Sequence, residues 1–217
     1  MVLLALSLAL IALSGDFLRH DLEYHRIHET AKTIRYGEDV STTALAQLVP
    51  QIVEADRAHA FDSSDLDDAA LVMSLFAARN DKTLLAPSLY RTAENLLRER
   101  LALAPADGNS WLRLAFVHTA LVGFDDFARQ SLDMSWRVTP REYSVMWPSL
   151  KFRVAHWDQL TIQEQFAAAD QVTGLWHKPP ERVALRAYLS RLPGNILTAL
   201  LADMIDPVAR SSVLKPQ

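Results

Sequence analysis

Histidines and grouped carboxylates are the residues of this sequence whose types could support catalysis or metal binding. His25 and His28 are three residues apart, which places both on one face of a helix. A metal site needs a third ligand, and Glu29 points about 100° away from His28 on the same helix. We therefore predict exposed polar histidines in this stretch, with no metal site and no cofactor.

The other polar groups favour structural roles. His118, His156 and His177 stand beside apolar or tryptophan residues, which indicates packed, hydrogen-bonded histidines. The acidic groups at 62–68 and 125–126 precede helical patterns, where we expect caps and solvated turns. No serine has the glycines of a nucleophile elbow, so we predict that the chain is not an enzyme. The alternative, an all-helical enzyme whose site is assembled only in three dimensions, stays open.

Composition narrows the class of protein. The chain has 217 residues, half of them hydrophobic, which is enough apolar mass for a sizeable core. The formal net charge of −4 argues against nucleic acid as a partner, because phosphate binding needs a basic field. The absence of cysteine excludes thiol catalysis, disulfides and cysteine-ligated metals, and only six glycines make a phosphate loop improbable.

Residues 1–14 carry no charge and are almost wholly apolar. The apolar character continues to residue 18, with Asp16 as its one charged residue, and Arg19 follows. As a helix this run would span roughly 27 Å, slightly short of the ~30 Å bilayer core. Three interpretations compete: a cleaved signal peptide, an uncleaved anchor and a buried helix. The positive n-region of a signal peptide is missing, and the next stretch continues without Gly or Pro to about residue 36. We therefore favour an anchor that contacts the lipid bilayer through residues 1–18.

The location that this anchor implies is a bacterial inner membrane, crossed once. Basic residues follow the apolar run, and the positive-inside rule would keep that side in the cytoplasm. A single short anchor often leaves the soluble domain outside nevertheless. We expect a periplasmic domain, with the orientation and cleavage of the segment left open.

The rest of the chain has helical periodicity, and no stretch alternates long enough to indicate a sheet. The pattern predicts a helix over 42–58 that contains Pro50 and a second helix over 63–79 with caps at its start. A third helix is predicted to begin near Pro87 and to end before Pro105. The fold class predicted is all-α.

An internal repeat lies in the second half of the chain. A small or apolar residue is followed by positions four, seven and twelve residues later, the last of them proline. The three copies are Ala93, Leu97, Arg100, Pro105; Ala128, Leu132, Ser135, Pro140; and Ala168, Val172, Leu175, Pro180.

This spacing resembles the second helix of a tetratricopeptide repeat. The first helix of such a repeat is resembled once, by Asn109, Trp111, Leu114, Ala115 and His118. Trp147 and Leu150 take similar positions in the next unit, where Pro148 departs from the pattern. The resemblance implies a stack of helical hairpins over 87–205 after a membrane helix at 1–18 and a helical part at 37–86, with a loose tail at 206–217.

A narrower resemblance rests on residues 101–111 and on the segments SLDMS at 131–135, TPRE at 139–142 and WDQL at 157–160. These resemble small helical-repeat proteins of alphaproteobacterial envelopes and the helical tails of O-antigen-type surface-polysaccharide polymerases. The resemblance implies a helper for polysaccharide assembly, anchored beside an integral-membrane protein or complex.

All five tryptophans fall in the C-terminal half of the chain, where core packing and partner contact are alternatives. The tetratricopeptide register would place four side chains of one predicted first helix on a concave, apolar face, and two tryptophans could project as interface anchors. The candidate partner-binding residues are Asn109, Leu112, Phe116, Thr119, Trp136 and Trp147. The apolar run at 197–205 is too short for a second span and predicts a docking helix. The predicted function is a non-enzymatic, membrane-anchored adapter or accessory subunit.

Overall fold

The protein is all-helical in a computed structural model that describes residues 22, 24–202 and 204. Within these residues the chain forms ten α-helices, two short 3-10 turns and no strand. The helices are α1 (24–35), α2 (Thr42–Ala58), α3 (Ser63–Arg79), α4 (Ala86–Leu103), α5 (Gly108–Val122), α6 (Asp126–Val138), α7 (Tyr143–Ala155), α8 (Ile162–Trp176), α9 (Arg182–Leu189) and α10 (Gly194–Ala202).

The three helices predicted before residue 105 are confirmed. Pro50 lies within α2, and α4 ends two residues before Pro105. The start of α3 is set by Asp62, whose carboxylate accepts from the Ser64 and Asp65 N–H groups. The Asp65 carboxylate in turn accepts a hydrogen bond from the Asp62 N–H, which completes a capping box.

Two compact units divide the chain between Pro105 and Ala106. This division lies one helix later than the predicted start of the repeat region at residue 87. In unit 1, α3 packs along α4 and against α2. In unit 2, α5 packs along α6 and α7 along α8, with α9 and α10 covering α8.

The repeated sequence positions share one environment. Ala93 and Leu97 of α4, like their counterparts on α6 and α8, are completely buried. The counterparts are Ala128, Leu132, Ala168 and Val172. The repeat prolines follow the last residue of each helix by two, two and four residues. In each unit these helices therefore present the same face to the core.

A buried carboxylate ties α1 to α3 in unit 1. Asp68 is 2% exposed, accepts a hydrogen bond from Arg35 Nη2 and lies 2.6 Å from His28 Nδ1. Arg35 also reaches Asp67 at 2.7 Å. The expectation of solvated acids at 62–68 is wrong for Asp68, because α1 covers that part of α3.

The core of unit 2 is built from α5 to α10. One cluster joins α7, α8, α9 and α10 around Leu150, Val172 and Leu200. A smaller one joins α5, α6 and α7 around Leu112, Leu132 and Val145. The docking helix predicted near the C-terminus is confirmed as α10, whose Ile196, Leu200 and Leu201 are buried.

The predicted anchor at 1–18 and the predicted tail at 206–217 lie outside the described residues. Among the residues that the structure does describe, no helix combines the length and apolar character needed to cross a bilayer.

We predict that Asp68→Ala lowers the free energy of unfolding by about 2 kcal/mol, because it strands Arg35 and His28 without their buried acceptor. Urea unfolding of the full chain measures this. The control is Asp39→Ala, which removes an acid that is 89% exposed and pairs with Arg79, and it should cost less than about 1 kcal/mol. Equal losses in the two variants would contradict a special role for Asp68.

A second prediction concerns the close approach of α5 and α6. A Cβ added at Gly108 would lie 2.9 Å from Thr139 Cβ and closer still to its hydroxyl, which is held by Ser135 O at 2.8 Å. Gly108→Ala should therefore cost about 1–3 kcal/mol of stability.

The double variant Gly108→Ala/Thr139→Ala should recover part of that loss. Gly194→Ala, at the open start of α10, is the matched control and should be neutral or slightly stabilising. A melting temperature that is lower for Gly194→Ala than for Gly108→Ala would refute the predicted steric conflict.

Candidate functional site

The four predicted partner residues of α5 lie in different environments. Leu112 is 3% exposed and belongs to the core, so its side chain is not offered to a partner in this structure. Phe116 is half-buried and packs edge-on against Phe152, with ring centroids 4.5 Å apart.

Asn109 and Thr119 are both partly exposed. Asn109 Nδ2 donates to Glu142 Oε1 at 2.9 Å and to Ser144 Oγ at 3.0 Å, which joins the start of α5 to the start of α7. The Thr119 hydroxyl oxygen is buried and has no hydrogen-bond partner among the described residues. Asn109 thus has a structural role that does not depend on a partner.

Trp136 and Trp147 are half-buried and pack against the larger core cluster. Trp147 also donates its indole N–H to Glu181 Oε2 at 3.2 Å, and its ring meets Tyr188 edge-on at 5.6 Å. One side of the Trp147 ring therefore belongs to the core. Lys151 Nζ lies 5.3 Å from the ring centroid.

Glu181 organises a group of aromatic and basic side chains around Trp147. Its Oε2 accepts from Tyr143 Oη at 2.5 Å as well as from Trp147, and Lys178 Nζ lies 5.4 Å from the centre of the Tyr143 ring. We call Tyr143, Trp147, Lys151, Lys178 and Glu181 the Glu181 cluster. It offers π faces, ammonium groups and a carboxylate from α7 and from the turn before α9.

The surroundings of Tyr143 in the Glu181 cluster raise the pKa of its hydroxyl. Desolvation by burial and then the hydrogen bond to the Glu181 carboxylate raise the pKa of Tyr143 to about 12. Tyr143 therefore stays a neutral hydrogen-bond donor across the physiological range. The sequence predicted Trp147 as a candidate contact residue, whereas no pattern indicated Tyr143 and Glu181, which are 38 residues apart.

The histidines predicted to have structural roles are engaged with neighbouring groups. His118 Nε2 lies 3.0 Å from Asp125 Oδ2, and its ring stacks near Phe127. Asp125 Oδ1 at the same time caps α6 by accepting from the Phe127 and Ala128 N–H groups. The Ala128 N–H and then His118 lower the pKa of the Asp125 carboxyl.

His156 is likewise held in place, by a hydrogen bond with Phe152 O at 3.0 Å. In the part of the chain that the structure describes, no three His, Asp or Glu side chains are grouped so that they could hold a metal ion. The His118–Asp125 and His28–Asp68 pairs both involve carboxylates that already serve the packing of helices.

A buried cation lies at the centre of unit 2. Arg153 of α7 is 1% exposed, and its Nε and Nη2 have no hydrogen-bond partner among the described residues. Burial lowers the pKa of Arg153 to about 10, against the opposing attraction of Glu164 and Asp133. A charged guanidinium with unsatisfied donors is costly to bury and calls for an explanation.

A surface cleft lies between α6 and α8. It has a volume of about 250 Å³ and is lined by Arg129, Gln130, Asp133, Thr161, Gln163 and Glu164. Arg129 Nη1 donates to Glu164 Oε2 at 2.8 Å, and its Nη2 donates to Gln159 O. The cleft therefore holds charges of both signs, and nothing in the sequence pattern marked it.

Comparison with known proteins finds no matching family model, curated protein or solved structure.

We predict that Glu181→Gln moves the pKa of Tyr143 from about 12 toward the ordinary value of 10, because the carboxylate disfavours the tyrosinate. Tyrosinate absorbance during a pH titration measures the shift, with Tyr143→Phe assigning the signal. Since the folded pKa exceeds the unfolded one, the stabilisation by Tyr143 is complete below pH 10 and is lost as pH rises toward 12.

Glu142→Gln is the control for this titration, because Glu142 bonds to Asn109 and Ser144 rather than to Tyr143. An equal shift in both variants would show that general charge, and not the Tyr143–Glu181 hydrogen bond, controls the tyrosine.

Proposed function

We propose that this chain is a membrane-anchored helical-repeat adapter, or accessory subunit, that binds and stabilises a larger membrane complex. The observation that carries the proposal is the equivalent burial of the repeated positions on α4, α6 and α8. A repeat whose second helices share one buried face is the arrangement that helical-hairpin proteins use to present extended binding surfaces.

The hairpin geometry within unit 2 supports this tetratricopeptide-like interpretation. Only residues 123–125 separate α5 from α6, and the two helices pack along each other. The second pair, α7 and α8, contacts the first through α7, which touches both α5 and α6. Two hairpins that share a core in this way fit the repeat spacing of 40 residues between Ala128 and Ala168.

Attachment to a membrane is proposed from the sequence of residues 1–18. Their apolar character would place the helical domain at the surface of a bacterial inner membrane, on the periplasmic side. The resemblance suggests that the chain helps surface-polysaccharide assembly. Its partner would then be an integral-membrane protein on which it docks.

Partner binding through Trp147 follows from its surroundings. The core holds one part of the indole rigidly while Lys151 and the partly exposed Tyr143 lie at the surface beside it. Tryptophan and tyrosine are among the residues that most often dominate binding energy at interfaces. We propose that the Glu181 cluster is the contact surface for the membrane partner.

The test is a gentle-detergent pull-down of the full chain, with mass spectrometry of the proteins retained. We expect a stoichiometric integral-membrane partner that is lost when residues 1–18 are deleted, while the remaining chain stays soluble and helical by circular dichroism. Retention of the partner by the deletion variant would show that the anchor is secondary, and unfolding would show that the segment belongs to the core.

Trp147→Ala should weaken partner binding by roughly 30-fold, which corresponds to about 2 kcal/mol for an interface hot spot. Trp147→Phe is the control for packing, because it keeps an aromatic ring against the core while it removes the N–H bond to Glu181 and part of the ring. Binding of the captured partner that is unchanged in a folded Trp147→Ala variant would exclude the Glu181 cluster as the contact surface.

A further inference from the structure

The helix α9 has apolar residues on two opposite sides. Leu185 and Leu189 are one turn apart and buried, so they mark the side of α9 that faces the core of unit 2. Val183 and Ala187 are also one turn apart and lie about 160° around the helix from those leucines. Val183 is 69% exposed, and Ala187 is exposed as well. We call these two residues the outward side of α9, which lacks the polar residues that a solvent-facing helix usually presents there.

The surroundings of α9 are basic. Residues 171–202 contain a single acid, Glu181, and four basic residues, which are Lys178, Arg182, Arg186 and Arg191. The Glu181 carboxylate already accepts the two hydrogen bonds of the Glu181 cluster. Within the part of the chain that the structure describes, Arg182 and Arg191 form no ion pair with a carboxylate. The charge of this segment is therefore positive and available to an anionic surface.

Trp176 holds two of these guanidinium groups next to the outward side of α9. Arg182 Nε donates to Trp176 O at 2.8 Å, and Arg182 Cζ lies 5.5 Å from the centre of the indole ring. Arg186, one turn later, has its Cζ 4.9 Å from the same centre. Both arginines lie within about 100° of Val183 around the helix. Like charges four residues apart repel each other, and the ring offsets part of that repulsion by cation–π attraction.

An exposed apolar strip with guanidinium groups along its edge matches the surface of a bilayer that contains anionic phospholipids. Apolar side chains enter the boundary between headgroups and acyl chains, while basic side chains bind the phosphate groups. An acidic protein would match the charge, but protein interfaces are enriched in aromatic residues at their centre. The outward side of α9 has only a valine and an alanine, which favours the lipid surface.

We propose that the outward side of α9 lies on a bilayer of anionic phospholipids, with Val183 and Ala187 among the headgroups and with Arg182 and Arg191 on phosphate groups. The contact is small, so it is reversible, sensitive to salt, and orients unit 2 against the membrane. It goes beyond the attachment proposed for residues 1–18 and does not require it, because only α9 and its flanking residues take part.

The experiment uses the absence of cysteine, because one introduced cysteine then carries a nitroxide label at a chosen position. The full chain with Ala187→Cys is labelled and reconstituted, by detergent removal, with vesicles of phosphatidylcholine alone or mixed equally with phosphatidylglycerol. Electron paramagnetic resonance measures whether the label meets oxygen dissolved in lipid or a nickel chelate dissolved in water. We expect lipid contact only with phosphatidylglycerol, and its loss in about 1 M salt, where the screening length is about 3 Å. A label at Val122→Cys, a site 67% exposed at the end of α5, should stay in water throughout.

Arg191→Gln and Val183→Gln test the charged and the apolar part of the contact. Arg191→Gln should lower the ratio of lipid-contacting to aqueous label at residue 187 about fivefold, the usual contribution of one basic residue near anionic lipid. Val183→Gln should lower this ratio in the same direction. Arg91→Gln on α4 and Val122→Gln on α5 remove the same types of exposed side chain elsewhere and should leave the ratio unchanged.

A label at residue 187 that stays in water with anionic vesicles would overturn the proposal, and so would equal lipid contact with and without phosphatidylglycerol. Immobilisation of the label by poly-L-glutamate, without lipid contact, would assign the surface to an acidic protein and also overturn it. Failure of residues 1–18 as an anchor has a different result. The chain would then not float with phosphatidylcholine vesicles, whereas the response of the label to phosphatidylglycerol would persist.

Discussion

Close packing of consecutive helices is the constraint on which the rest of this structure depends. No sheet supports the described residues, so each helix must bury one face against its neighbours. Ala93, Ala128 and Ala168 are completely buried, and a side chain that ends at Cβ lets the facing helix approach. The leucine or valine one turn later fills the space beside the crossing and contributes about 1.5–3 kcal/mol when fully buried. Gly108 likewise allows a close approach, here between the start of α5 and Thr139, the residue that follows α6.

Polar groups buried between such closely packed helices differ between the two units in whether hydrogen bonds compensate their burial. In unit 1, Asp68 receives a guanidinium and an imidazole from α1, so its burial is compensated by hydrogen bonds. In unit 2, Arg153 Nε and Nη2 have no acceptor among the described residues, and Glu164, whose charge acts on Arg153, bonds to Arg129. Hydrogen bonds therefore compensate the burial of the first group but not that of the second.

The candidate contact residues likewise depend partly on residue type and position and partly on contacts between residues far apart in the sequence. Trp147 was identified from its residue type and position, since large aromatic residues in a repeat region commonly anchor contacts. Its hydrogen-bond partner Glu181 belongs to a separate turn, and the Tyr143 that shares this carboxylate begins α7. Leu112 had the same sequence-based support as Phe116, yet α6 and α7 bury the first and leave the second partly exposed. Register alone could not separate these two residues, because exposure depends on which neighbouring helix covers each face.

Sequence by itself determined the helical class, the bounds of α2 to α4, the capping of α6 by Asp125 and the docking of α10. These features depend on interactions within a few residues: caps, prolines and apolar spacing act inside one helix or at its ends. Tertiary structure alone decided that Asp68 is buried against Arg35 and His28 and that Glu181 bonds to Tyr143 and Trp147. Each of those contacts joins residues from different helices, 33 residues apart for Arg35 and Asp68. Only the packed positions of whole helices bring such groups together, so no local pattern could have indicated them.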